Sequence, residues 1–369
     1  MYRVFGSRIS YFTGKLEAYL RYRGHDYELL PTYAHAGEVA KGTGSTQMPA
    51  MQLDDGRWTS DSTPLLAWLD DRDGASSIYP DDPALRFVAL LIEDYTDEWL
   101  WRSAMHYRWS YRLDRSHASL LIAEEQGVIS RVPRILRRWI VTRRQLGGFV
   151  KGDGVTPKTR DHVESGYFAA LDHLEAILSE RPFLLGDAPS IADFGMMGPM
   201  LRHFGMDPTP ADIMRTRAPG VYEWVARVWN TRAADRSPQW ISTVDDALAG
   251  LLREVCETHL VQLRENAVAI AAGQARYAQE IQGVPYERIP SSRYRVWCLE
   301  ELRREWAALD EGARDGLRPL LPEPGAAVLW DTTTPLDSGY DPERQAPFNR
   351  ALNVFGKDAR RRPALDART

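Results

Sequence analysis

At 369 residues the chain is long enough for two or three domains, and an apolar fraction of 44% supports a sizeable core. A net charge of −5 with 26% charged residues argues against bulk nucleic-acid binding. Two cysteines, Cys256 and Cys298, offer neither a disulfide framework nor a metal cluster, no apolar run is long enough to span a bilayer, and Met1-Tyr2-Arg3-Val4-Phe5 has no signal core. The expectation is a cytoplasmic protein with no metal and no membrane or nucleic-acid partner.

In chain order, Tyr2 to Phe5 reads as a strand, Gly6 to Thr13 as a hydroxyl-rich loop, and Lys15 to Arg23 as a helix that Gly24 stops. Tyr27 to Leu30 resumes as a strand, and Ala34 to Thr46 reads as a glycine-bearing loop at the rim of a site. Met51-Gln52-Leu53 alternates as a strand, Asp54-Asp55-Gly56 predicts a hairpin, and Trp58-Thr59 begins its return. Asp61-Ser62-Thr63-Pro64 then precedes the apolar run Leu65, Leu66, Trp68 and Leu69, the composition of a helix N-terminus. Strand, helix, strand, hairpin, helix is the order of a thioredoxin-like half.

Those residues can build a site for a small anionic peptide. A helix N-terminus stabilises a carboxylate through unpaired N–H groups and partial positive charge. The Ser62 hydroxyl adds a hydrogen bond, and Asp61 is placed to hold an ammonium group. A cis bond between Met48 and Pro49 would turn the Met48 backbone outward as an unpaired strand edge. An ordinary hairpin followed by a capped helix is the alternative. In the loop before Lys15, a hydroxyl and a helix N-terminus together favour a bound thiolate, although a hydroxyl there can equally serve as a cap.

Ser76 to Pro83 reads as a linker, after which the pattern is helical. Trp99, Trp101, His106, Tyr107, Trp109 and Tyr111 form the densest aromatic cluster, fit for helix packing or for the wall of an apolar pocket. Glu93, Asp94, Asp97 and Glu98 read as a solvated face pairing with Arg102. Arg131 to Arg144 interleaves arginines with Val132, Ile135, Leu136, Trp139 and Ile140. It reads as an amphipathic helix with a solvated basic side, an anionic-substrate dock or a partner surface. Ser190 and Asp193 form a capping box. Asp245 to Gln282 and Arg293 to Leu309 read as long helical segments, Val328-Leu329-Trp330 as extended, and the chain beyond Pro335 as a poorly ordered tail ending in Arg360-Arg361-Arg362.

The order Gln47-Met48-Pro49-Ala50, Asp54-Asp55-Gly56, Asp61-Ser62, Leu65-Leu66-Trp68-Leu69 resembles the glutathione-binding half of soluble glutathione transferases, and Phe183 to Asp193 resembles the capping motif of their second domain. The resemblance covers about two thirds of the chain. It implies an α+β fold: a thioredoxin-like domain at 1–79, an all-helical domain at 84–240, then a helical extension at 241–334 and an irregular tail at 335–369. It implies glutathione as co-substrate and Ser10 as thiol activator, since the segment Lys15 to Glu28 aligns Ser10 with the catalytic Ser or Cys position and leaves Gly6 at the tyrosine position. Tyr11, Gln47, Met48, Pro49, Asp61 and Ser62 would then bind glutathione. Trp99, Arg102, His106 and Tyr107 would supply the pocket for a small-molecule electrophile, in a homodimer. The competing expectation is a non-catalytic transferase-like binding or scaffold protein, its substrate side filled by the extension.

Overall fold

The computed structural model describes residues 1–74, 76–127 and 130–351. Its first unit runs β1 (Tyr2–Gly6), α1 (Tyr11–Arg23), β2 (Tyr27–Pro31), α2 (Ala36–Thr43), β3 (Ala50–Gln52), β4 (Trp58–Ser60) and α3 (Ser62–Asp73). The sheet order is β2-β1-β3-β4, with β1 parallel to β2 and the other pairs antiparallel. Gly24 ends α1 in the left-handed region (φ 74°), returning its N–H to the carbonyls of Leu20 and Arg21. This is the thioredoxin-like arrangement that the element order predicts. One element differs, because α2 occupies what reads as a loop. Burial of Val39 beside Phe5, Ala50 and Trp58 holds it there. Gly42 belongs to that packing, since a Cβ on it would stand 2.3 Å from the Trp58 ring. Tertiary packing thus overrides the low helix propensity of its glycines.

The second unit is helical: α4 (Pro83–Glu98), α5 (Leu100–Ser110), α6 (Arg112–Gly127), α7 (Arg134–Gln145), α8 (Arg160–Glu180), α9 (Ile191–Pro199), α10 (Pro208–Arg217) and α11 (Pro219–Asn230). Every residue of α9 is buried. Its start is held by Asp193, which accepts from the N–H and hydroxyl of Ser190 at 2.9 and 2.8 Å, the Leu184 N–H at 3.0 Å and the Trp224 indole at 3.1 Å. Four donors compensate the burial of that carboxylate. Gly195 and Gly198 let α4 and Tyr11 come close.

The extension departs from the sequence expectation. In place of one helical segment from 245 to 282 there are α12 (Asp246–Glu257), α13 (His259–Ala271) and a hairpin of β5 (Arg276–Ile281) with β6 (Val284–Pro290). Tyr277, Gln279 and Ile281 point inward in alternation, and Gln282-Gly283 makes the turn, both residues at positive φ. That period-2 signal was readable and lay hidden behind the preceding helical pattern. α14 (Arg293–Ala308) and α15 (Glu311–Leu317) follow, and Ala326–Leu329 forms a 3-10 turn rather than an extended stretch, with Val328 and Leu329 buried.

The extension packs on the outward face of α4: Trp306 lies edge-on to Phe87 at 5.3 Å, and His259 Nε2 meets Asp94 Oδ2 at 2.6 Å. The segment expected to be poorly ordered crosses back over the first unit, without helix or strand as far as residue 351. The Ser60 N–H donates to the Pro347 carbonyl (3.3 Å), the Ala351 N–H donates to the Thr43 carbonyl (2.9 Å), and Phe348 sits edge-on to Trp68. Arg360-Arg361-Arg362 lies outside the described residues. Both cysteines are free and buried.

Candidate active site

A cavity of about 650 Å³ opens where the three parts of the chain meet. Its walls come from residues 7–12, from 45–49 and 60–62, from the α4–α5 junction, and from 290–295 with Tyr340 of the extension. The Met48–Pro49 bond is cis. Met48 lines the cavity, and among the described residues no protein group pairs with its backbone N–H or carbonyl. An extended ligand can pair with that edge. Gln47 lies beside it, its N–H donating to Ser45 Oγ at 3.3 Å.

Helix α3 begins close by, since Ala50 and Ser60 are partners across β3 and β4. Asp61 caps it from a positive φ of 73°, and its Oδ1 accepts from the Thr63 N–H at 3.3 Å. Ser62 opens the helix and borders the cavity. The second Asp61 oxygen, Oδ2, accepts from the hydroxyls of Tyr294 (2.9 Å) and Tyr340 (2.8 Å). Burial pushes the Asp61 carboxyl up to about 6, against the pull of those two hydrogen bonds. The group expected to receive a ligand ammonium is therefore engaged by the chain's own phenols. Neither tyrosine carries a local sequence signal for this role.

Ser10 caps α1: its Oγ accepts from the Thr13 N–H at 3.4 Å, and its own hydroxyl proton has no acceptor among the described residues. The loop ahead of it is pinned from the helical unit. Arg108 Nη1 donates to the Ile9 carbonyl (2.7 Å), Arg202 Nη1 donates to the Arg8 carbonyl (2.8 Å), and Asp207 anchors Arg108 at 2.7 Å. Sequence reading missed Arg108, whose role rests on contacts about a hundred residues away. Tyr11 presents its ring to the cavity but is buried, and its hydroxyl donates to the Thr96 carbonyl. Thr13 is buried as well, with Oγ1 accepting from the Ser7 N–H. Among the described residues Ser10 and Ser7 both border the cavity with a hydroxyl proton that meets no acceptor, Ser7 Oγ accepting from the Ile9 N–H at 3.4 Å, whereas Tyr11 is committed to Thr96 and Thr13 does not line the cavity.

The acidic run of α4 is not a solvated face. Glu93, Asp94 and Asp97 are buried, and their partners are Lys15, His259 and Lys15 rather than Arg102. Lys15 Nζ reaches Asp97 Oδ2 at 2.6 Å and Thr63 Oγ1 at 3.0 Å, and also bonds Glu93. Burial opposes the Lys15 charge, yet Asp97 and Glu93 hold its pKa above the usual lysine range. Glu98 pairs with Arg295 of the extension at 2.9 Å.

The four residues predicted to face the electrophile do not line the cavity. Arg102 is sandwiched between the Trp99 and Tyr286 rings and donates to the Asp153 carbonyl (2.9 Å) and Gln262 (2.7 Å). His106 bonds Glu164 and Ser110, and Tyr107 stacks on Tyr111. The wall is built instead from Phe12, Trp101, Met105, Trp109 and Phe149. Trp101 and Met105 lie four residues apart on one face of α5, whereas Trp99, Arg102 and His106 follow the neighbouring stripe, which packs inward. In a helix buried nearly all round, periodicity does not say which stripe faces the cavity.

The model of the glutathione S-transferase N-terminal domain matches residues 9–72, and that of the C-terminal domain matches residues 157–227. These matches support the glutathione transferase superfamily. Similar solved structures include a glutathione S-transferase from Rhodospirillum rubrum F11, at 16% identity over 63% of this chain and 90% of that one, with a TM-score of 0.42. Another, from Methylobacterium radiotolerans JCM 2831 in complex with glutathione sulfonate, is 18% identical over 66% of this chain and 98% of that one, with a TM-score of 0.39. A β-etherase from Sphingobium sp. strain SYK-6 is 20% identical over 63% of this chain and 97% of its own, with a TM-score of 0.44. Both transferase-domain matches end before residue 228, so Tyr294 and Tyr340 lie beyond them.

Proposed function

We propose that the chain is a glutathione-dependent transferase-like enzyme. The cysteinyl unit of glutathione pairs with the Met48 backbone, and its γ-glutamyl carboxylate sits at Ser62 and the start of α3. Ser10 donates its hydroxyl proton to the thiolate. The positive end of α1 and that hydrogen bond lower the thiol pKa below the ~8.5 of a free cysteine, so the nucleophile is present at neutral pH. The sulfur then attacks an apolar or aromatic electrophile held against Phe12, Trp101, Met105 and Phe149. The observation that carries this reading is the pairing, across one cavity, of an unpartnered Met48 backbone edge with an uncommitted Ser10 hydroxyl. Ultraviolet titration of the thiolate with glutathione bound tests it: a depressed pKa in the wild type that returns toward the free value in Ser10→Ala is expected. An undepressed wild-type value rules the mechanism out. Product analysis with a panel of electrophiles separates conjugation, isomerisation and thiolytic cleavage.

A second reading, a transferase-like binding protein without turnover, is favoured by the two tyrosine hydroxyls on Asp61. It predicts weak glutathione binding and no product from any electrophile in the same panel.

A further inference from the structure

Helix α7 departs from its expected amphipathic placement, because most of its apolar residues lie in water. Sequence patterning would bury its apolar residues and leave the arginines in water. Instead Arg138 donates to Ser119 Oγ (3.2 Å) and Ser116 Oγ (2.9 Å) of α6, and Arg137 donates to the Ser130 and Val132 carbonyls (2.9 and 2.7 Å). Val141 is the one fully buried residue of the helix. Ile135 is 80% exposed, Trp139 56% and Ile140 48%, with Leu136 exposed beside them. These positions (i, i+1, i+4, i+5) make a continuous stripe along one side of the helix.

The charge around the stripe says what covers it. From Gln126 to Gly152 there is no Asp or Glu in a chain whose net charge is −5, and Arg131, Arg134 and Arg143 flank the stripe in exposed positions. Arg143 lies over the Trp139 ring at 5.4 Å. A second copy docking the same face by two-fold symmetry would set arginine against arginine, with no acid from this segment to meet it. An exposed indole and β-branched side chains on one helix side, rimmed by guanidiniums, match the boundary between acyl chains and anionic headgroups. Among the described residues no helix is long and apolar enough to cross a membrane, so any attachment by this helix is peripheral. We propose that α7 is an interfacial anchor that seats the protein on anionic lipid surfaces, with Ile135, Trp139 and Ile140 entering the acyl boundary and Arg134 and Arg143 on the phosphates. The proposal is independent of the thiol chemistry. It also brings one wall of the cavity near the lipid surface, because Arg144, Gln145 and Phe149, at and just after the end of α7, line that cavity.

The test is co-sedimentation of the full chain with phosphatidylcholine vesicles, with and without roughly one third phosphatidylserine. Partition onto the anionic vesicles at least ~10-fold above the neutral ones is expected, falling away in salt of about 0.5 M. Ile135→Gln with Trp139→Gln should lower that partition by ~10-fold or more, and Arg134→Gln with Arg143→Gln should remove the preference for the anionic vesicles. All four positions are exposed, so thermal melting should be unchanged; the single variant Trp139→Gln, read by loss of quenching from brominated lipid, serves if the double variants melt early. Three outcomes overturn the proposal. The wild type can fail to pellet with anionic vesicles, or the apolar variants can bind as well as the wild type. In the third, the wild type forms a concentration-dependent dimer that Trp139→Gln abolishes while vesicles are ignored, which makes the face a contact between copies.

Discussion

Tyr340 and Asp61 are 279 positions apart in the chain, yet the tyrosine hydroxyl donates to the aspartate Oδ2 at 2.8 Å, and Tyr294 donates to the same oxygen at 2.9 Å. Two neutral donors thus satisfy the carboxylate oxygen that an ammonium group of a peptide ligand would approach. The contact is reinforced by the backbone bond from Ser60 to Pro347 next door.

If these phenols compete with the ligand, Tyr294→Phe with Tyr340→Phe should tighten glutathione binding. Hydrogen bonds to a charged group contribute ~1.5–3 kcal/mol each, and recovering half of one is worth a gain of ~5-fold in affinity. Isothermal titration at about pH 8, above the value of about 6 that burial gives Asp61 with its donors in place, checks this. Weaker binding in the double variant would make the tyrosines part of the ligand site instead.

Ser10 has two separable duties. As a cap its loss costs ~1 kcal/mol of stability, and as a thiolate donor its loss costs ~100-fold in kcat. Ser10→Ala should therefore melt a few degrees early while keeping its KM for glutathione nearly unchanged, and Ser10→Thr should recover both properties in part. A rise in KM with kcat unchanged would mean that the residue only helps glutathione bind.

Apart from α2, the first unit was legible because its signals are local. The Asp54-Asp55-Gly56 turn, Gly24 at a helix end and the Asp61-Ser62 helix start each follow from a few adjacent residues. The Ser190–Asp193 box was legible for the same reason. Apart from the β5–β6 hairpin, whose local alternation was masked by the helical pattern before it, what escaped depends on distant partners. The charges of Glu93, Asp94 and Asp97 look solvated until Lys15 and His259 arrive from α1 and α13, and the cavity-facing stripe of α5 is set by what packs on its other sides. Arg138 of α7 turns inward for Ser116 and Ser119, two small hydroxyls on α6 that no periodicity within α7 reveals.

Lys15 ties three helices together, since Thr63 is on α3 and Glu93 and Asp97 are on α4. Lys15→Met would keep most of the volume and leave two carboxylates buried without their cation. Removing one partner of a buried ion pair costs ~3–5 kcal/mol, so the urea midpoint should fall sharply. Adding Glu93→Gln should recover part of the loss. A change under ~1 kcal/mol would show that water reaches the acids and compensates them.

Burial lifts the Asp61 carboxyl to about 6, while Tyr340 and Tyr294 pull it down. An unfolded aspartate titrates near ~3.9, so between roughly pH 4 and 6 the native state holds a proton that the unfolded chain has released. The stability contributed by that proton is complete below the unfolded value and is lost as pH rises through about 6. Ligand affinity should run the other way, because an ammonium group needs the ionised carboxylate: glutathione should bind more tightly as pH rises through the same point. Asp61→Asn should flatten both profiles. Removing the two hydroxyls should move the inflection upward, since the donors that favour the charged form are gone. Glu98 is the rival group, also on the cavity wall and pushed by burial to about 7. Calorimetric titration of glutathione across this range decides between them, for an inflection that survives in Asp61→Asn belongs to Glu98 or to the ligand itself.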